Sequence, residues 1–174
     1  MPTIEINRAP VMTLWAAVVA ERLGFDRDEA LTMGKTVAGL NAQSKGRRLG
    51  IYEAGKKEAK ETRRRPEGEQ FFVELMGRSV PVVNTPDGVR ATAKGAPVQP
   101  ASVQRYLEGK LGAALPEVRQ AMEELAAAYS VEELEEQAYD LYVGFRPEVP
   151  AGKRGWGARG PLDTEKIRSL AGEP

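Results

Sequence analysis

Apolar side chains recur at three- and four-residue spacing through Val11, Leu14, Trp15, Val18 and Val19, after Pro10 and before Gly24. Proline supplies a helix-ready φ at a first helical position and glycine a stop, so the pattern predicts a first helix. The intervening positions are largely Ala and Met12, which makes this helix apolar nearly all round and places it in the middle of the fold. A second helix follows. Asp26 can cap it, Asp28 and Glu29 complement its positive end, and Ala30, Met33, Val37 and Leu40 form a stripe ending before Gly46. Gly34 and Gly39 each weaken a helix interior by about 1 kcal/mol relative to Ala, so they are read as points where another backbone comes close.

The periodicity then fades into a basic connector, Lys45 to Arg65, in which Glu58 to Arg65 could form an exposed helix ended by Pro66. Beyond it, Gln70–Met76, Ser79–Asn84 and Gly88–Lys94 are rich in Phe and Val and separated by turn residues, which predicts a short antiparallel meander. Gly77 and Arg78 are taken as the first turn and Pro86, Asp87 and Gly88 as the second, and Pro81 is tolerable only at an edge. Three helices come next. The first carries Val103, Tyr106, Leu107 and Leu111; the second starts near Pro116 and carries Val118, Ala121, Met122, Leu125 and Tyr129. The third opens on the capping box Ser130-x-x-Glu133 before Leu134, Ala138, Leu141 and Tyr142. From Arg146 to Pro161 there are too many breakers for a regular element, and Leu162, Asp163 and Ile167 suggest a short docking helix after an N-cap.

The fold class expected is therefore α+β, predominantly α: an N-terminal helical hairpin, a short antiparallel β-meander, three consecutive helices and an irregular C-terminal arm. Residues 1–65 form the hairpin with its basic connector. Residues 66–150 carry the meander and three helices around a core shared with 1–65, and 151–174 form the arm with its short helix.

Composition removes several chemistries. The 174-residue chain has no Cys and no His, which excludes disulfides, thiolate ligands, Ser-His-Asp triads, Cys-His dyads and the usual zinc sites. The apolar stretch Ala9 to Ala20 is too short to span a bilayer and lacks the features of a secretory leader. A cytoplasmic protein without a membrane, metal or cofactor is expected. The acidic run Glu132, Glu133, Glu135, Glu136 and Asp140 reads as solvated helix surface.

Charge changes the picture more. A formal net charge of +0 hides a split: residues 1–65 carry 13 basic and 8 acidic side chains, whereas 66–150 carry 7 and 14. Such a split suits an anionic partner, or the pairing of basic and acidic halves within or between copies. The stretch Ala20 to Leu31 resembles the turn of a helix-turn-helix, but Asp26, Asp28 and Glu29 would face DNA phosphates, which favours an ordinary helical hairpin. Asn41, Ser44, Lys45, Arg47 and Arg48 combine amide, hydroxyl and cations in a stretch suited to phosphate oxygens, although it lacks the P-loop order. Lys56, Lys57, Lys60, Arg63, Arg64 and Arg65 could track a phosphate backbone. Lys153, Arg154, Trp156 and Arg159 add an aromatic between cations, a composition that can stack a base.

The leading functional expectation is a small intracellular nucleic-acid-binding protein, non-catalytic, contacting the phosphate backbone of DNA or RNA through these residues. One alternative is a homo-oligomeric or protein-interaction module with complementary basic and acidic halves. Another is an enzyme or binder of a phosphorylated small molecule near residues 41–48.

Overall fold

The computed structural model describes residues 3–43, 70–93, 96–148 and 159–171. The fold is α+β and predominantly helical. Strand β1 (Thr3–Asn7) runs straight into helix α1 (Arg8–Arg22), which a short loop joins to α2 (Arg27–Gln43). The meander follows as β2 (Phe71–Leu75), β3 (Arg78–Thr85), β4 (Gly88–Ala93) and the short β5 (Ala96–Pro97), in that spatial order. Helices α3 (Pro100–Leu111), α4 (Leu115–Ala127) and α5 (Val131–Phe145) come next, with a 3-10 turn at Gly112–Ala114 between the first two. The chain ends in β6 (Arg159–Asp163) and the short α6 (Thr164–Ser169). Among the described residues no helix is long and apolar enough to cross a membrane.

Helix α1 is central because every residue from Pro10 to Ala20 is buried. Its largely Ala, Val and Met flanks, with the Thr13 hydroxyl bonded back to the Ala9 carbonyl at 2.9 Å, leave no polar face to solvate, so α2, α4, α5 and α3 close around it. Trp15 fixes α5 to it: the indole Nε1 donates to the Ala138 carbonyl at 2.9 Å, and the ring meets Phe145 edge-on at a centroid distance of 5.4 Å. Gly34 explains how α2 comes so near. A Cβ there would lie 2.3 Å from the Thr13 carbonyl oxygen and 3.0 Å from the Ala17 nitrogen, so only glycine permits the contact. Gly39, expected to do the same, faces open space.

The meander lays one face on α2, with Val73, Val80, Val82, Val89 and Ala91 turned inward. Two side chains of α2 finish the backbone bonding of β4. Glu29, buried, accepts from the Val89 N–H at 3.0 Å and from the Asp26 N–H at 3.0 Å, while Asp26 Oδ1 accepts from the Glu29 N–H at 2.8 Å. This reciprocal pair is a capping box that also grips the sheet. The Thr32 hydroxyl accepts from the Ala91 N–H at 3.0 Å. Thr32 is buried, so of the side chains a recognition helix would offer here it is turned into the protein.

Two details of the meander differ from expectation. The first turn is Met76–Gly77, since Leu75 pairs with Arg78, and both turn residues have positive φ (52° and 77°), as a type I′ hairpin requires. Pro81 sits on β3, an interior strand, opposite Phe72. It is tolerated because the β3–β4 pairing stops at Val82↔Ala91, so the missing N–H falls just past the end of that ladder.

The third difference is at the termini. Arg159–Asp163, within a stretch too rich in breakers to promise a strand, pairs antiparallel with β1 from Thr3↔Asp163 to Asn7↔Arg159. Proline at 161 is accommodated on this two-stranded edge, opposite Glu5. Asp163 then caps α6 by accepting from the Glu165 N–H, in keeping with its sequence position. Likewise Ser130 and Glu133 close the capping box of α5 in both directions.

Candidate functional site

Of the side chains expected to contact an anion, Ser44, Lys45, Arg47, Arg48, Lys56, Lys57, Lys60, Arg63, Arg64, Arg65, Lys153, Arg154 and Trp156 lie outside the described residues. Asn41 falls in the last turn of α2, and Arg159 is the exposed first residue of β6. The structure does fix where both basic segments are tethered.

Helices α1 and α2 are antiparallel, with Gly34 opposite Thr13 and Ala17, so the C-terminal end of α2 returns to the level of the α1 N-terminus. The connector leaves from that end at Gln43. It rejoins the fold at Gln70, whose side chain stands 3.5 Å from the Thr92 hydroxyl where β4 passes the second half of α2. The arm leaves after Glu148 and returns at Arg159, which pairs with Asn7, the residue before α1. Gly160 holds this crossing tight, since a Cβ there would lie 2.1 Å from the Glu148 carbonyl oxygen. Both segments therefore depart from and return towards one end of the molecule, the end where α1 begins.

That end carries cations of its own that the sequence pattern does not single out. Arg8 opens α1 and its Nε donates to the Pro147 carbonyl at 2.8 Å. Arg146, the C-cap of α5, lies with its guanidinium 5.7 Å from the centre of the Tyr142 ring. Among the described residues neither guanidinium has an ion-pair partner within 4 Å. Partial burial, and then the neighbouring charge of Arg146, pull the Arg8 guanidinium below its ordinary pKa. Burial pushes the Tyr142 phenol up, against the opposing pull of Arg146 and Arg8. The one signal in the sequence is that Arg8 stands where an acid would normally open a helix.

Elsewhere several charges are paired. Arg119 of α4 pairs with Glu21 of α1 and with Glu123, and Arg168 of α6 pairs with Glu124 at 2.9 Å and Glu117 at 3.8 Å. Lys166 reaches Glu148 at 3.6 Å. Among the described residues no group of three or more carboxylates is placed to hold a metal ion. A recess of about 300 Å³ adjoins the last turns of α2, lined by Lys35, Thr36, Gly39, Leu40, Pro81 and Thr92. Comparison with known proteins finds no family model, no curated protein and no solved structure that this chain matches.

Proposed function

We propose that the protein binds the phosphate backbone of a nucleic acid, without catalysis, at the end of the molecule where α1 begins. The observation that supports this most is the common tethering of the two cation-rich segments. The connector with its nine basic residues from Lys45 to Arg65 leaves and rejoins the fold by the C-terminal half of α2, whose end lies level with the start of α1, and the arm with Lys153, Arg154, Trp156 and Arg159 returns beside Asn7. In this reading a polyanion docked at that end engages both segments together with Arg8 and Arg146. Neutralising several phosphates releases condensed counterions, so affinity falls steeply with salt and varies little with base sequence.

The Trp156 indole adds a preference. Only unpaired bases can stack on it, which favours single strands over duplex. Electrophoretic mobility shift with duplex DNA, single-stranded DNA and RNA at low salt tests the reading. A shift with at least one of these is expected, weakened more for single strands than for duplex by Trp156→Ala. No shift with any of them refutes it, and the interaction-module reading with complementary charge then takes its place.

A further inference from the structure

We infer that Arg8, Arg146 and the Tyr142 hydroxyl hold one phosphate group at the first turn of α1. The phosphate need not belong to a nucleic acid.

This corner lacks the usual answer to a helix N-terminus. Such an end concentrates unpaired N–H groups and partial positive charge, and proteins usually meet it with a capping side chain or an acid in the first turn. In α1 the Asn7 side chain makes no cap hydrogen bond, no acid lies in the first turn, and the first residue is Arg8. A second guanidinium, Arg146, is held beside it because Pro147, its neighbour in sequence, accepts the Arg8 Nε hydrogen. Like charges and a positive helix end are thus gathered with no carboxylate in ion-pair contact with either guanidinium among the described residues. Glu148 acts on Arg8 more weakly than Arg146 does, and it is engaged with Lys166.

A second observation points to the same missing group. Tyr142 is fully buried, yet its hydroxyl has no hydrogen-bond partner. The Arg146 guanidinium stands close and acts on the phenol, but a guanidinium only donates and cannot take the phenol proton. A buried donor left unmade costs about 1–3 kcal/mol, so such a group calls for an acceptor. A phosphate oxygen between the guanidiniums accepts the phenol proton, while the forks of Arg8 and Arg146 supply the charge-assisted bonds that phosphate geometry favours. The first-turn amides of α1 add the helix-terminus contribution. Tyr139, whose ring lies 6.0 Å from that of Tyr142, also acts on the Arg8 guanidinium.

The test titrates inorganic phosphate into the full-length protein while following the backbone amide resonances of Arg8 and Ala9. It is repeated with Arg8→Gln, Arg146→Gln and Tyr142→Phe, and each protein is also titrated with a 20-nucleotide single strand. Saturable shifts confined to the start of α1 are expected, with affinity reduced about tenfold or more in each arginine variant. Tyr142→Phe separates site from scaffold: removing the orphaned hydroxyl leaves the phosphate-free melting temperature unchanged or higher, yet weakens phosphate binding. If the oligonucleotide competes with phosphate and loses affinity in the same variants, the phosphate is a backbone phosphate. If phosphate binds this way and the oligonucleotide does not bind, the site stands with a phosphorylated small molecule as ligand, and the nucleic-acid reading fails. Phosphate and oligonucleotide titrations both unaffected by all three substitutions overturn the inference.

Discussion

Two glycines of α2 look alike in sequence and are opposite in the fold. Gly34 is pressed against the Thr13 carbonyl, whereas a Cβ at Gly39 meets nothing within 4 Å. Gly34→Ala should therefore force α1 and α2 apart and lower stability by roughly 2 kcal/mol or more, as overpacking of a core contact does. Gly39→Ala should raise it by up to about 1 kcal/mol through helix propensity alone. Chemical denaturation of the two variants checks the pair, and equal effects would mean that α2 does not approach α1 as described. Sequence marks both positions as unusual but cannot rank them, because only the partner across the interface decides whether space is present. Glu29 shows the same limit. Its capping partnership with Asp26 is visible in the D-x-x-E spacing, but its bond to the Val89 N–H joins residues that sequence does not connect.

At the scale of elements, local signals sufficed for the helices. The apolar periodicity locates α1 through α5, and the Ser130-x-x-Glu133 spacing locates the start of α5, because these signals depend on neighbours within a turn or two. The strand pair β1–β6 is hidden for the opposite reason. Ile4 and Ile6 alternate as strand residues should, but the partner Arg159-Gly-Pro-Leu-Asp163 carries a glycine and a proline, and its strand character exists only opposite β1. Arg8 and Arg146 are not recognisable as a pair in sequence on the same grounds, since the contact between Arg8 and Pro147 spans nearly the whole chain. The central place of α1 is legible from composition and carries its own consequence. Leu14 is fully buried, so Leu14→Ala should cost about 2–5 kcal/mol through reduced burial and a residual cavity. An unchanged denaturation midpoint would contradict a core built around α1.

Across the whole molecule, net charge conceals an arrangement. Carboxylates of α4 are answered by Arg119 and by Arg168 of α6, and Glu21 of α1 turns towards Arg119. These pairs are partly exposed and contribute little stability individually, and Arg8 and Arg146 at the start of α1 have no such partner among the described residues. The two basic segments are tethered at that end, which is the feature on which the proposed polyanionic partner rests. The most direct measurement is the slope of log Kobs against log salt concentration for a labelled single-stranded oligonucleotide, taken for the wild type and for two variants. In one, Arg63, Arg64 and Arg65 are changed to Ala; in the other, Lys153, Arg154 and Arg159 are. If both segments engage one backbone, the wild-type slope is steep and each variant flattens it, by up to about 0.7 for every single-strand phosphate that is no longer neutralised. A slope that is shallow in the wild type, or that neither variant changes, would rule out a shared phosphate-binding pole.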